Sequence, residues 1–72
     1  MKYTVLIEDD ECSFCASSPD VPGIFSFGET PEEALEGFEE ALPHHLQALR
    51  EAGAPVPQPT TRVVTVEVAD VA

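Results

Sequence analysis

The stretch Pro19-Asp20-Val21-Pro22-Gly23-Ile24-Phe25-Ser26-Phe27-Gly28-Glu29-Thr30-Pro31-Glu32-Glu33-Ala34 decides the fold of this chain. Pro19 and Pro22 fix φ and remove backbone donors, and Gly23 permits a positive φ, so residues 19–23 are predicted to form a rigid bend. Ile24 to Phe27 is short, apolar and aromatic, which predicts a strand. Gly28 lets the chain turn out of that strand. Thr30 then reads as a helix N-cap, with Pro31 at the first helical position and Glu33 placed to complete a capping box.

Upstream of the bend, Lys2 to Glu8 alternates as a strand, with Tyr3, Val5 and Ile7 on one face and Thr4 and Leu6 on the other. Glu8-Asp9-Asp10-Glu11 is a solvated turn, and Cys12 to Ser18 reads as the return strand with Phe14 and Ala16 on one face. Downstream, a helix is predicted from Pro31 to about Ala52. Ala34, Leu35, Phe38, Ala41, Leu42, His45, Leu46 and Leu49 fall on one side at 3.6-residue spacing, and Glu32, Glu36, Glu39, Glu40, Gln47 and Glu51 on the other. A helix-interior proline costs about 3 kcal/mol. Pro43, however, lies on the polar face and the apolar phase runs through it, so one bent helix is expected instead of two. Gly53 is placed to end it. Ala54 to Pro59 should be a stiff, extended connector. Arg62 to Val68, rich in β-branched residues, predicts a fourth strand, and Ala69 to Ala72 a frayed tail.

The order strand-strand-strand-helix-strand gives an α+β domain. A right-handed helical crossover would set the fourth strand beside and parallel to the first, making a four-stranded mixed sheet of order 3-2-1-4. One helix would pack on one face. The other face, carrying Thr4, Leu6, Val63 and Thr65, would stay uncovered, as would both sheet edges, which invites a second copy or a partner.

Pro19, Asp20, Pro22, Gly23, Ser26, Gly28, Thr30, Glu33 and Ala34 carry a resemblance to the N-terminal domain of the HicB-like antitoxin family. That domain typically has a Pro-Asp-Leu-Pro-Gly turn, a strand and a Gly-Asp-Thr-x-x-Glu-Ala helix start; Val21 and Glu29 are mild variants here. The opening strand and the long helix also fit, so the resemblance spans nearly the whole chain. It implies a truncated, degraded ribonuclease-H-like fold and a protein that binds a small basic ribonuclease toxin of the HicA type. Family antitoxins commonly add a C-terminal DNA-binding segment. Residues 1–72 read as the single N-terminal domain without it, so DNA binding and autorepression are not expected.

Size and charge narrow the classes of function. A chain of 72 residues buries only roughly 60% of its unfolded surface, so its core is thin and self-association would add buried area. Fourteen acidic residues against three basic ones leave a formal net charge of −11. Such a surface repels nucleic acid and anionic membranes, because phosphate binding needs Lys and Arg to displace counterions. A basic protein is the better-matched partner. Thr4 to Ile7 is too short for a secretory apolar core and no stretch approaches a membrane span, so a cytoplasmic location is expected.

Reactive constellations are sparse. Cys12-x-x-Cys15 falls on a predicted strand, where residues three apart face opposite ways, and lacks the helix start of a redox pair. Zinc would need His44 and His45 as well, and adjacent helical positions diverge by about 100°. His45 reads as a core histidine. The turn Glu8 to Glu11 lacks the ligand spacing and central glycine of a calcium loop. No core-facing strand position is acidic, whereas a ribonuclease-H centre needs carboxylates converging on two metals. No catalytic residue, metal or cofactor is therefore expected. Glu32/Glu36 and Glu36/Glu40 are like-charged pairs one turn apart, each unfavourable by a few tenths of a kcal/mol. Glu32, Glu36, Glu39 and Glu40 are accordingly the candidate partner-binding residues, complementary to a cationic surface. The expectation is an antitoxin-type binding protein, not an enzyme, that forms a homodimer or larger assembly. The alternative is a stand-alone homo-oligomeric structural or regulatory module with no toxin partner.

Overall fold

The computed structural model describes residues 1–69; of the tail expected to fray, residues 70–72 lie outside the described residues. Three antiparallel strands, β1 (Leu6–Asp9), β2 (Phe14–Ser18) and β3 (Val21–Gly28), form a meander in the order β1-β2-β3, followed by the helix α1 (Pro31–Glu51). The molecule is α+β, with α1 packed on one face of the sheet.

The expected bend resolves into two devices. Pro19 and Asp20 form a tight turn, so that Ser18 pairs directly with Val21. The ladder then slips: Ser17 pairs with Phe25, leaving Pro22, Gly23 and Ile24 as extra residues on β3. A bulge suits these residues, since Pro22 has no donor to lose and Gly23 sits at φ 88°. The slip has a packing consequence. Val21 and Ile24, which strict alternation would put on opposite faces, are both buried against the helix.

Helix α1 starts as its sequence requires. Thr30 is extended and its Oγ1 accepts from the Glu33 backbone N–H at 3.1 Å. The reciprocal bond is displaced by one residue: the Glu33 carboxylate accepts from the N–H of Glu29, at 3.2 Å, and not from Thr30. The helix runs without interruption through Pro43, whose ring is exposed. It ends with Ala52 as C-cap, after which the Gly53 N–H donates to the Arg50 carbonyl and the Ala54 N–H to that of Leu49.

The core is Ala16, Val21, Ile24, Ala34 and Phe38, with Tyr3, Val5, Ile7, Phe14, Ala41 and Leu42 packed around it. Phe38 is the largest side chain wholly removed from solvent. Close approach here depends on Gly37, where an added Cβ would collide with the Ser26 hydroxyl of β3. Further along, His45, Leu46 and Leu49 are only half-buried, and Leu35, expected inward, stands at the exposed margin. The three strands cover the first half of the helix well and its second half poorly.

The fourth strand expected over Arg62 to Val68 is not formed, so the sheet has three strands and not the order 3-2-1-4. The connector before it is held by side chains instead of a ladder. Tyr3 Oη donates to the Pro57 carbonyl at 2.6 Å, and Thr4 Oγ1 to the Thr61 carbonyl at 3.3 Å. Over residues 62–69 the chain leaves the body, and Val63, Val64, Val66 and Val68 are 71–79% exposed. The result is an elongated molecule of 53 × 27 × 17 Å with a radius of gyration of 14.7 Å, against roughly 11 Å for a compact chain of this length. The physical reason is that β-propensity measures how well a side chain fits a pleated, half-buried surface. Without a neighbouring strand, valines alone do not create one.

Candidate functional site

Three surface features could carry function, and each follows from how the fold disposes its faces. The first is the outer side of α1. Glu32, Glu36, Glu39 and Glu40 are all exposed there, as the helical spacing requires. Glu32 and Glu33 lie in the first turn, where the positive end of the helix dipole favours them. Glu36, Glu39 and Glu40 lie beyond its reach, and local helix stability does not account for them. The second half of α1 adds Gln47, whose amide donates to the Glu51 carboxylate at 3.2 Å.

The second feature is the face of the sheet turned away from the helix. The register aligns Leu6 with Ser17 and Ser17 with Phe25, then Glu8 with Cys15 and Cys15 with Phe27. Phe25 and Phe27 are 62% and 66% exposed, unusual for adjacent same-face phenyl rings on a small domain. With Cys15, Ser17, Glu8, Asp9 and Asp10 they line a shallow depression of about 300 Å³. Its floor is apolar and aromatic, and one rim is acidic. Sequence reading gave this face as uncovered but did not place Phe25 and Phe27 on it. The signal was present, because Ile24 and Ser26 facing the helix force Phe25 and Phe27 outward.

The third is Asp20, in the turn between β2 and β3. Its carboxylate accepts from the Thr61 hydroxyl at 2.7 Å, the Thr61 backbone N–H at 3.3 Å and the Thr60 hydroxyl at 3.2 Å. The Thr61 hydroxyl bond is the main cause of an Asp20 pKa below its ordinary value; desolvation opposes it, and the remaining bonds reinforce it. This residue clasps the connector to the body, which is a structural task.

The other sequence candidates do not converge. Cys12 is exposed in the turn before β2 and Cys15 is half-buried on the open sheet face; both are free thiols. The expectation that both lie in a strand holds for Cys15 alone. His44 is exposed and His45 half-buried on α1. The acidic turn closes through the Asp10 N–H, which donates to the Ser13 carbonyl at 2.8 Å, and through Asp10 Oδ1, which accepts from the Glu11 N–H. Among the described residues, no three His, Cys, Asp or Glu side chains gather where they could hold a metal ion. Among the same residues, no helix is long and apolar enough to cross a membrane.

Fold and surface together define a small acidic α+β domain whose prominent features are faces for contact: a carboxylate-lined helix and an aromatic sheet. The chain belongs to the HicB-like antitoxins of bacterial toxin–antitoxin systems, whose family model matches residues 3–70. It is 34% identical over 67 residues to the UPF0150 protein Ta0767 of Thermoplasma acidophilum, covering 92% of this chain and 97% of that one. An uncharacterized 14.9 kDa protein of Haemophilus phage HP1, from its rep-hol intergenic region, is 36% identical over 58 residues, 81% of this chain and 44% of its own length. Antitoxin HicB 2 of Photorhabdus laumondii is 34% identical over 62 residues, 86% of this chain and 45% of its own. The chain thus spans nearly all of the Thermoplasma relative but less than half of the other two. No solved structure matches.

Proposed function

We propose that this protein is an antitoxin that acts by contact and without catalysis, binding and neutralising a small basic RNA-cleaving toxin of the HicA type. Family membership supports the toxin–antitoxin role, and the exposed row Glu32, Glu36, Glu39 and Glu40 is the observation that carries the choice of partner. A surface evolved to grip RNA phosphate is cationic, and a net charge of −11 both steers toward it and competes for the same groups. The carboxylates beyond the first helical turn, costly to the isolated helix, gain a purpose when lysine or arginine side chains neutralise them. The site of action in this reading is the cytoplasm.

Co-expression with a HicA-type toxin tests the proposal. Growth should be rescued and a complex recovered by affinity purification. Reversing the four charges (E32K, E36K, E39K and E40K together) should abolish both while leaving the helix content unchanged. Unimpaired rescue by the reversed variant would contradict the assignment of this face.

A second reading is favoured by Phe25 and Phe27, whose exposure is atypical of a lone monomer: the domain associates with itself. The ribonuclease-H-like description belongs to this wider proposal, since it requires a fourth strand beside β1 that the single chain leaves unfilled.

A further inference from the structure

Residues 62–69 are the part of the described chain that its own fold does not use. The clasp at Asp20 fixes Thr60 and Thr61, and among the described residues the hydrogen bonds to the body end there. Val63 and Val64 are 71% and 77% exposed; neighbours along an extended segment point opposite ways, so both faces of the arm are free of cover. Yet Arg62-Val63-Val64-Thr65-Val66-Glu67-Val68 has five β-branched residues of seven and contains no proline or glycine. Its one positive and one negative charge cancel. Fully extended, seven residues reach about 23 Å. An exposed segment of this composition is suited to adding to a sheet edge, with main-chain bonds for affinity and alternate side chains for fit.

The sheet offers two edges, and the residues distinguish them. The outer edge of β3 is broken at Pro22, which has no N–H, and at Gly23, where φ is positive. The outer edge of β1 has neither interruption, and its residues Leu6 to Asp9 have β2 on one side only. The root of the arm lies beside the approach to this edge, through Tyr3 and Thr4. Plug and socket are therefore carried by the same chain, yet the arm stands off its own body.

We propose that the Arg62–Val68 arm adds as a strand to the β1 edge of a second copy, which returns its own arm in exchange. The contact is isologous and closes on itself, giving a dimer with no free copy of either element. Each sheet then gains its fourth strand in trans, beside β1. This inference rests on the self-association reading above and specifies how it is achieved.

Light scattering of the full chain at millimolar concentration should give twice the 7.7 kDa of one chain. Consecutive prolines at Thr65 and Val66 (T65P/V66P) remove a backbone donor on either side of the arm. That variant should halve the mass and leave the helical circular dichroism unaltered. In dimers mixed from differently isotope-labelled chains, nuclear Overhauser contacts from the arm valines to β1 should be between chains. A wild-type protein that stays monomeric would overturn both the exchange and the self-association reading. A dimer that survives T65P/V66P, or whose arm contacts β1 only within one chain, would overturn the exchange alone.

Discussion

Residues 14–38 and residues 54–69 are both rich in structural signals, but only the first segment turns them into secondary structure. In the first, the Pro19–Asp20 turn, the bulge at Pro22 and Gly23 and the Thr30 cap each act on partners close in sequence, and Phe38 then anchors the helix on the strands so formed. In the second, proline stiffness and β-branched residues are just as plain, yet beyond Ala54 the hydrogen bonds to the body, among the described residues, come from Tyr3, Thr4 and Asp20. Local bonds close early and reinforce one another. A strand depends on a distant neighbour, and without it the best strand-forming sequence of the chain stays exposed to solvent.

The contrast breaks first at Phe38. Truncating a fully buried phenylalanine costs about 3–5 kcal/mol, a large share of what a domain of this size can muster. F38A should therefore lose most of its helical circular dichroism at room temperature. Retention of a cooperative thermal transition would mean that the core is less dependent on this ring than its complete burial implies.

A smaller effect sharpens the same point at Gly37. Alanine favours the helix over glycine by about 1 kcal/mol, but its methyl would strike the Ser26 hydroxyl, which must swing aside, so G37A should forfeit most of that gain. Removing that hydroxyl should restore it, making G37A/S26A more stable than G37A alone in urea unfolding. Additive changes would show that the helix and β3 are not held at this distance by the missing side chain.

At the helix start, T30A removes the bond to the Glu33 N–H and should cost about 1 kcal/mol. The reading of the cap from sequence was right in position and incomplete in detail. Thr30, Pro31 and Glu33 announce a helix because their bonds are local. That the Glu33 carboxylate would reach Glu29 instead of Thr30 depends on side-chain packing that spacing does not encode. The exposed phenyl rings were legible in principle from the alternation of Ile24, Phe25, Ser26 and Phe27. An uncovered sheet face was expected; that these two rings lie on it follows from the bulge at Pro22 and Gly23, which sets the phase of β3 and is not encoded by spacing alone. The strand expected at Arg62 to Val68 could not be settled locally, since its outcome depends on which edge, and of which chain, lies within reach.

The smallest global effect is expected at Asp20, because its role is confined to the second region. D20A should quicken hydrogen exchange at Thr61 and leave the core amides of β2 and α1 unchanged. The pH dependence has a definite sign. Holding Asp20 ionised lowers its folded pKa below the unfolded one, so the unfolded chain binds the proton more readily. The clasp is fully present above the ordinary aspartate pKa of about 3.9. It is lost as the pH falls through the lower, folded value. Titration of the Thr61 amide shift should follow that midpoint and be absent in D20A.

The most direct test of the account is calorimetric titration of a purified HicA-type toxin with this protein, repeated at rising salt and with the four-glutamate reversal. Acidic contact predicts a tight complex that silences RNA cleavage, weakens steadily as salt screens the charges, and disappears when Glu32, Glu36, Glu39 and Glu40 become lysine. A complex of undiminished affinity in the reversed protein, or no complex at any ionic strength, would contradict it.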